Sequence, residues 1–256
     1  MKLTGTGPGK RQETRALRVE GLVNARDLGG LRCFEGTGTP TGVFYRSENV
    51  DTVTPAGWDQ LWAAGTRTVV DLRQPGERSR DVSKRPPWLT TVAVDLDGLD
   101  NRGFWEHYWD NGLCGTALYS LPHLKAMPDR AAAALSAIVD APPGGVLFHC
   151  MGGRDRTGMR AMLLLVAANA HVDDIVDDYL ESFRVAGRRA AAASRDNPEL
   201  ALDTGCQAHG TTSEGAFRAA VAAVDLEGVL TAGGMRPATR HALVTWRGQL
   251  AEPSAT

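Results

Sequence analysis

The chain has 256 residues, of which 43% are hydrophobic, and a formal net charge of −2 with an isoelectric point near 6.3. This length fits one large α/β domain or two small ones, and the apolar content is sufficient for a hydrophobic core. The slightly acidic balance argues against general nucleic-acid binding, and no stretch approaches the ~18 uncharged apolar residues of a membrane-spanning helix.

The chain begins with a polar segment rich in Gly, Lys and Arg, residues 1–19, for which we predict a flexible arm. This segment lacks the apolar centre of a secretory signal peptide, which favours a cytoplasmic location. Residues 20–256 contain neither an internal repeat nor a convincing linker, so we predict that they form a single domain.

The strands are predicted from short β-branched and apolar runs that are bounded by glycine or turn residues. These runs are Gly42–Arg46, Thr66–Leu72, Thr90–Asp95 and Val146–His149. Between the first two runs, Thr54 is a candidate N-cap followed by Pro55 in the first helical turn, and Gly65 ends that helix. Strands that alternate with helices indicate an α/β fold with a central sheet flanked by helices.

Further helices are predicted where apolar residues recur with helical spacing or where a segment is rich in alanine. They are Met127–Asp140, Met159–Ala168, Asp173–Ala192, Glu214–Val224 and Pro237–Leu250. The apolar face of the second of these helices should pack on the sheet and hold its own N-terminus against a bound ligand.

One segment, residues 97–124, departs from this alternation because aromatic side chains are concentrated in it. They are Phe104, Trp105, His107, Tyr108, Trp109 and Tyr119. Trp105 and Trp109 are four residues apart, which places them on one helical face. We predict a helical, lid-like insertion. Its main interpretation is a helix that covers part of the core, and the alternative is a lid or wall over the loop, where aromatic side chains would contact the substrate.

Residues 149–158, His-Cys-Met-Gly-Gly-Arg-Asp-Arg-Thr-Gly, carry the most specific chemical pattern in the chain. Cys150 lies where a buried strand ends and a helix begins, and the N–H groups and dipole of a helix N-terminus stabilise a thiolate. Gly152 and Gly153 let the backbone curl so that N–H groups point at an anion. Arg156 supplies a planar fork for two phosphate oxygens. This pattern predicts a cysteine-dependent phosphomonoester hydrolase.

The rest of this loop is expected to bind the substrate or to support the nucleophile. The remaining substrate-binding candidates are Met151, Arg154, Thr157 and Gly158. The hydroxyl of Thr157 is expected near the thiolate, where it would assist the breakdown of a phosphocysteine intermediate. His149 is expected to orient the loop by hydrogen bonding and not to transfer protons.

A leaving alkoxide or phenolate needs a proton, and Asp155 is the candidate general acid because it lies inside the loop. One alternative is that Asp155 only pairs with a neighbouring arginine and fixes the loop. The other is that the proton comes from Asp95 or Asp97, which follow the apparent strand Thr91–Val94.

The loop resembles the signature of the bacterial tyrosine-phosphatase-like family, which includes mycobacterial PtpB and related atypical dual-specificity and lipid phosphatases. Four other segments resemble family elements in the same order: Asn24–Gly30, Tyr45–Ser47, Val69–Arg73 with Glu77, and Asp174–Leu180. The resemblance covers roughly residues 20–190. It implies a phosphotyrosine-phosphatase fold, a phosphocysteine intermediate, no metal or cofactor, and a proton donor within the loop. It also implies a phosphorylated substrate as the partner.

Arg154 departs from the family pattern, which usually has Lys at this position, a residue associated with acidic or phosphoinositide substrates. Arg keeps the charge but changes its reach and geometry. The candidate substrates therefore remain a phosphorylated protein, a phosphoinositide, a nucleotide or a small phosphorylated metabolite. The oligomeric state is not predicted.

Polar residues also cluster at the apparent strand ends, where the site of an open α/β sheet lies. They are Asn24, Arg26, Asp27, Arg46, Asp71 and Arg73. We interpret them as a buried network that braces the loop, with direct substrate contact by Arg26 or Arg46 as the alternative. Two other functions compete with hydrolysis: a non-catalytic phosphate-binding module, and a sulfurtransferase that carries sulfur on Cys150.

Overall fold

The structure is a computed structural model that describes residues 15–34 and 36–251. Its centre is a five-stranded sheet in the order β1-β2-β5-β3-β4. The strands are β1 (Arg26–Asp27), β2 (Phe44–Ser47), β3 (Thr66–Asp71), β4 (Thr90–Ala93) and β5 (Gly145–His149). β1 is antiparallel to β2, and the other neighbouring strands are parallel. The carboxyl ends of β2, β3 and β5 therefore meet at one edge, where an α/β sheet forms its site.

The middle strand β5 separates two hydrophobic clusters because its side chains alternate between the faces of the sheet. Val146 and Phe148 belong to the larger cluster, whereas Leu147 belongs to the smaller one. Since β5 is buried on both faces, its sequence is a continuous apolar run and not an alternating one. At its end, His149 is in register with Ser47 of β2 and Asp71 of β3. This register brings the three strand ends together beneath the loop that follows.

Eleven α-helices are assigned within the described residues. They are α1 (Pro55–Ala63), α2 (Pro75–Arg78), α3 (Arg102–Asp110), α4 (Ser120–Ala126), α5 (Pro128–Val139), α6 (Asp155–Ala167), α7 (Val172–Ala192), α8 (Glu199–Ala208), α9 (Ser213–Ala223), α10 (Leu226–Ala232) and α11 (Pro237–Val244). The predicted start of α1 is confirmed, since the Thr54 hydroxyl accepts a bond from Gly57 N at 3.1 Å. No helix of this part of the chain is long and apolar enough to cross a membrane.

The predicted central sheet flanked by helices is confirmed, and each predicted strand and helix has a counterpart. The main difference in length is the last helix, which ends at Val244 instead of Leu250. Trp246 and Arg247 adopt positive φ angles of 51° and 57°, which an α-helix cannot contain. The Trp246 ring is buried and its Nε1 donates to Pro40 O at 3.1 Å, so tertiary packing ends the helix.

The predicted arm does not extend to residue 19. Arg15 is buried, and Leu17 N donates to Ala25 O at 2.9 Å, because the chain here runs alongside β1. Residues 1–14 lie outside the described residues. The prediction of one domain over residues 20–256 stays a prediction.

The aromatic insertion is helical, as predicted, with α3, a 3₁₀ turn at Ala117–Tyr119 and α4. Trp105 is buried, and its Nε1 donates to Asp97 O at 2.8 Å. Trp109, whose ring centroid lies 5.4 Å from that of Trp105, is 48% exposed. The insertion thus has one face in the core and one in solvent, and its function as a lid stays a prediction.

Candidate active site

The loop between β5 and α6 is fixed from outside through three consecutive carbonyl groups. Met151 O accepts from Asn49 N at 2.9 Å, Gly152 O from Asn24 Nδ2 at 3.0 Å, and Gly153 O from Arg46 Nη2 at 2.7 Å. A trans peptide places its C=O and the following N–H on opposite sides. The N–H groups of Gly152, Gly153 and Arg154 therefore point into the loop, which gives an anion-binding cradle.

Only one of the two loop glycines is required by the backbone. Gly153 has φ +68°, and a Cβ there would lie 2.3 Å from Ser47 O. Gly152 has no positive φ, and a Cβ there would meet no atom within 4 Å. Gly158 is required for packing, because a Cβ there would lie 2.8 Å from the Tyr179 ring. Gly158 therefore brings α6 against α7, and its substrate-binding role stays a prediction.

A buried carboxylate holds the arginines behind the loop. Asp178 of α7 pairs with Arg15, Arg26 and Arg46, and all four side chains are at most 4% exposed. Burial raises the pKa of Asp178, but the three guanidinium groups outweigh this effect and hold it well below its usual range. Arg26 also donates to Asn24 Oδ1 at 2.6 Å, which orients the amide that holds the loop. Arg26 and Arg46 thus occupy bracing positions behind the loop.

Asp178→Asn is expected to lower the free energy of unfolding by about 3–5 kcal/mol, because it leaves three buried cations without their counter-charge. Urea unfolding at neutral pH measures this loss. Asp177→Asn is the matched control, because the neighbouring Asp177 pairs at the surface with Arg184. This control should cost less than about 1 kcal/mol. Equal losses in the two variants would contradict the bracing role of Asp178.

Two further members of the predicted network, Asp27 and Asp71, bind other partners. Asp27 accepts from Gly29 N and Gly42 N, each at 2.7 Å, so it fixes the connection between β1 and β2. Asp71 accepts from Arg73 Nη2 at 2.8 Å at the end of β3. The network is therefore divided into parts that brace different segments.

His149 is buried at the end of β5, between the ends of β2 and β3. Its Nδ1 is 3.1 Å from Cys150 O, and its Nε2 is 3.9 Å from a carboxylate oxygen of Asp71. Burial lowers the pKa of His149 to about 4, although the charge of Asp71 opposes this shift. A neutral imidazole that contacts the loop backbone suits the predicted orienting role.

The Cys150 side chain lies at the bottom of the loop and is 3% exposed. The Thr157 hydroxyl, in the first turn of α6, is also buried and has no hydrogen-bond partner among the described residues. A buried hydroxyl without a partner costs free energy unless a ligand or water satisfies it. Thr157 is thus available to a group bound in the loop.

Arg156 is oriented by Glu77, which is held by the capping box of α2. Arg156 Nη1 and Nη2 donate to the Glu77 carboxylate at 2.5 and 2.8 Å, and Nη1 is also 3.2 Å from Asp97 Oδ2. Gln74 binds both acids, through N to Glu77 at 2.8 Å and through Nε2 to Asp97 at 2.7 Å. Of the five guanidinium N–H groups, these contacts leave the Nε–Nη2 edge for two phosphate oxygens.

Asp155 begins α6 and accepts a hydrogen bond from the Tyr119 hydroxyl at 2.6 Å. Burial raises the pKa of Asp155, against the opposing effects of Arg154, the Tyr119 hydrogen bond and Arg156. Asp97 also lies at the site, and burial raises its pKa to about 6. Asp95 is not at the site, because it is exposed and pairs with Arg130 at 2.6 Å.

Arg154 extends away from the cradle toward α8. Its Nη1 lies 2.9 Å from Glu199 Oε2, and its guanidinium lies 5.2 Å from the centroid of the Phe183 ring. This contact is a charge pair without hydrogen-bond geometry. The charge that the sequence assigned to substrate binding is therefore opposed by a carboxylate.

The sequence predictions did not include several residues that shape the site. They are Asn49, Glu77, Tyr119, Asp178 and Glu199. Glu77 belonged to a segment with a recognisable pattern but had no assigned role. Asp178 likewise lay in a family-like segment, and Tyr119 among the aromatic residues of the insertion, without an assigned role in the site. Asn49 and Glu199 are distant in sequence from the loop and carry no local signal. Within the described residues, no group of three or more His, Cys, Asp and Glu side chains could hold a metal ion.

Comparisons with known proteins agree with this geometry. A family model described as the tyrosine phosphatase family matches residues 17–229. A Cupriavidus necator protein provisionally named a tyrosine-protein phosphatase is 33% identical over 177 residues, which cover 65% of this chain and 62% of that protein. A tyrosine-protein phosphatase of Nostoc commune is 31% identical over 153 residues, covering 56% of this chain and 49% of that protein.

A third similar protein is the triple specificity protein phosphatase PtpB of Mycobacterium tuberculosis. It is 28% identical over 195 residues, which cover 64% of this chain and 68% of PtpB. The chain therefore spans less than two thirds of the Cupriavidus and Nostoc relatives and slightly more than two thirds of PtpB.

Proposed function

Because this chain belongs to the tyrosine phosphatase family, we propose that it hydrolyses phosphate monoesters through a phosphocysteine intermediate on Cys150. The observation that carries this proposal is the orientation of the loop. The carbonyls of Met151, Gly152 and Gly153 are bound from outside, so successive N–H groups converge above Cys150. Such a cradle stabilises the charge of the phosphoryl oxygens in the transition state.

In the first step, the Cys150 thiolate attacks phosphorus, an S–P bond forms and the ester P–O bond breaks. Arg156, oriented by Glu77, holds two phosphoryl oxygens through its Nε–Nη2 edge. Asp155 gives its proton to the leaving oxygen, so the alcohol or phenol departs neutral. The burial of Asp155, which raises its pKa, favours the protonated form that this step requires.

In the second step, a water molecule attacks the phosphocysteine and gives its proton to the Asp155 carboxylate. The S–P bond breaks, inorganic phosphate leaves and the Cys150 thiolate is regenerated. The buried Thr157 hydroxyl, which has no other partner among the described residues, is available to stabilise the leaving thiolate. Asp155 thus acts first as acid and then as base.

As the substrate, we propose phosphotyrosine in a protein. Cys150 is 3% exposed at the bottom of its loop, so an aryl group reaches the nucleophile more easily than a short methylene arm. The half-exposed Trp109 ring lies on the insertion whose Tyr119 contacts Asp155, so it is suited to contact an aryl group. We also propose a cytoplasmic location, which the four free thiols support.

A comparison of kcat/KM over a set of phosphorylated compounds tests this proposal. Phosphotyrosine peptides should exceed phosphoserine peptides, phosphoinositides, nucleotides and small phosphorylated metabolites. A higher kcat/KM for a phosphoinositide or a metabolite would be consistent with the proposed mechanism but would identify that compound, and not phosphotyrosine, as the substrate. Phosphate binding without turnover of any aryl phosphate would instead support a non-catalytic module, and persulfide formation from thiosulfate would support a sulfurtransferase.

Asp155→Asn is expected to lower kcat roughly 10²-fold for phenyl phosphate, whose leaving group needs a proton, within the range typical of general acids. The loss should be much smaller for p-nitrophenyl phosphate, whose leaving group is already activated. Asp95→Asn is the matched control at an exposed position and should show neither loss. If Asp97→Asn shows this leaving-group dependence and Asp155→Asn does not, the proton donor is Asp97.

A further inference from the structure

A buried arginine that has no hydrogen-bond partner within the described residues lies one turn beyond Arg156 on the same face of α6. The Arg160 side chain is fully buried, with 0% exposure. None of its three guanidinium nitrogens has a hydrogen-bond partner among residues 15–34 and 36–251. A buried cation without such partners reduces stability, so packing alone does not account for an arginine at this position.

Three acidic groups, each on a different element, interact electrostatically with Arg160. They are the Asp155 carboxyl at the start of α6, the Asp97 carboxyl after β4 and the Tyr119 hydroxyl of the 3₁₀ turn. Burial lowers the pKa of Arg160 to about 10, so its charge persists at neutral pH. His123 of α4 also faces Arg160, and burial together with this cation lowers its pKa to about 3, which keeps it neutral. Arg160 is therefore within electrostatic range of the acidic groups at the site.

The other cations near Asp155 already have carboxylate partners. Arg154 lies 2.9 Å from Glu199, and Arg156 forms a two-bond pair with Glu77. The remaining titratable groups that face Asp155 are Tyr119, Asp97, Cys114, Tyr179 and Glu199. Of the three arginines that act electrostatically on Asp155, Arg160 is the one whose guanidinium has no hydrogen-bond or carboxylate partner among the described residues.

We propose that Arg160 is a positioning residue of the hydrolytic reaction, a buried cation that stabilises the carboxylate formed when Asp155 gives up its proton. This inference rests on the proposed function. A side chain with no accessible surface offers no surface to the substrate, so Arg160 acts through Asp155. In the first step, Arg160 makes Asp155 a stronger acid. In the second step, it stabilises the carboxylate that accepts the proton of water.

Arg160→Met tests this role through the pH profile of kcat with phenyl phosphate. Without the cation, Asp155 becomes a weaker acid that keeps its proton to higher pH. The plateau should therefore fall by roughly 3- to 10-fold, a part of the usual contribution of a general acid, and the high-pH limb should move to higher pH. KM should be unchanged, and resistance to urea should be equal or greater because a buried unpaired charge is removed.

Arg236→Met makes the same substitution at an exposed residue that pairs with Asp140, and it should leave the profile unchanged. Arg160→Lys keeps the charge and should keep the limb near its wild-type position. A folded Arg160→Met or Arg160→Gln protein with an unmoved limb would overturn the proposal. Failure of both neutral variants to fold would also overturn it, because Arg160 would then be structural. Absence of turnover in the wild-type protein would instead refute the proposed function.

Discussion

Cys150→Ser is expected to reduce kcat for an aryl phosphate by roughly 10⁴- to 10⁶-fold, the scale seen when a covalent nucleophile is removed. A serine hydroxyl is not ionised near neutral pH, so the loop would hold no anionic nucleophile. The cradle itself should persist, because the bonds from Asn24, Asn49 and Arg46 end on loop carbonyls and do not involve the cysteine side chain. Calorimetry with inorganic phosphate should therefore still detect binding.

Cys33→Ser is the matched control for this substitution. Cys33 is also a buried cysteine, but its main-chain bridge to Ala170 places it at the far end of α6. The control should retain the wild-type rate. Turnover by Cys150→Ser close to that of the wild-type protein would contradict a cysteine nucleophile, and loss of phosphate binding would show that the loop itself had changed.

Arg156→Lys is expected to lower kcat/KM by roughly 10³-fold, the upper end of the loss for a transition-state donor. Lysine keeps the positive charge but has no planar edge that can hold two phosphoryl oxygens at once. It also cannot reproduce the paired bonds from Nη1 and Nη2 to Glu77. Steady-state kinetics with an aryl phosphate should show a lower kcat in addition to a higher KM.

Glu77→Gln separates the orientation of Arg156 from its charge. The Arg156 guanidinium remains, but one of the two carboxylate oxygens that accept its hydrogen bonds is replaced by an amide NH2 group, which cannot accept them. The guanidinium is therefore less well oriented. The loss in kcat/KM should be smaller than that for Arg156→Lys and of the same kind. A loss for Arg156→Lys that appears only in KM would contradict its role in the transition state.

The sequence predicted the parts of the site that are contiguous in the chain. The predicted strand–loop–helix arrangement is confirmed by β5 and α6. The sequence predicts it because an apolar run, a glycine and a helical pattern follow one another directly. Gly153 is the glycine that the backbone needs, but the sequence could not distinguish it from Gly152. That difference depends on the approach of Ser47 O, which belongs to another strand.

The residues that the sequence did not identify act across long separations. Glu77 precedes Arg156 by 79 residues, and Asp178 follows Arg46 by 132. Both carboxylates lie in segments that the sequence singled out, but their roles depend on partners that become known only when the strands and helices pack. The length of α11 was overestimated for a similar reason, since the burial of Trp246 against Pro40 ends the helix.

The covalent state of Cys150 during turnover shows directly whether this cysteine is the nucleophile. The Asp155→Asn protein, in which the second step is slowed, is mixed with p-nitrophenyl phosphate and denatured during the first turnover. The peptide that contains Cys150 is then analysed by mass spectrometry. A cysteine nucleophile predicts one phosphoryl group on Cys150 and none in the Cys150→Ser protein. Release of nitrophenol without a phosphoryl group on Cys150, or with one on another residue, would contradict it.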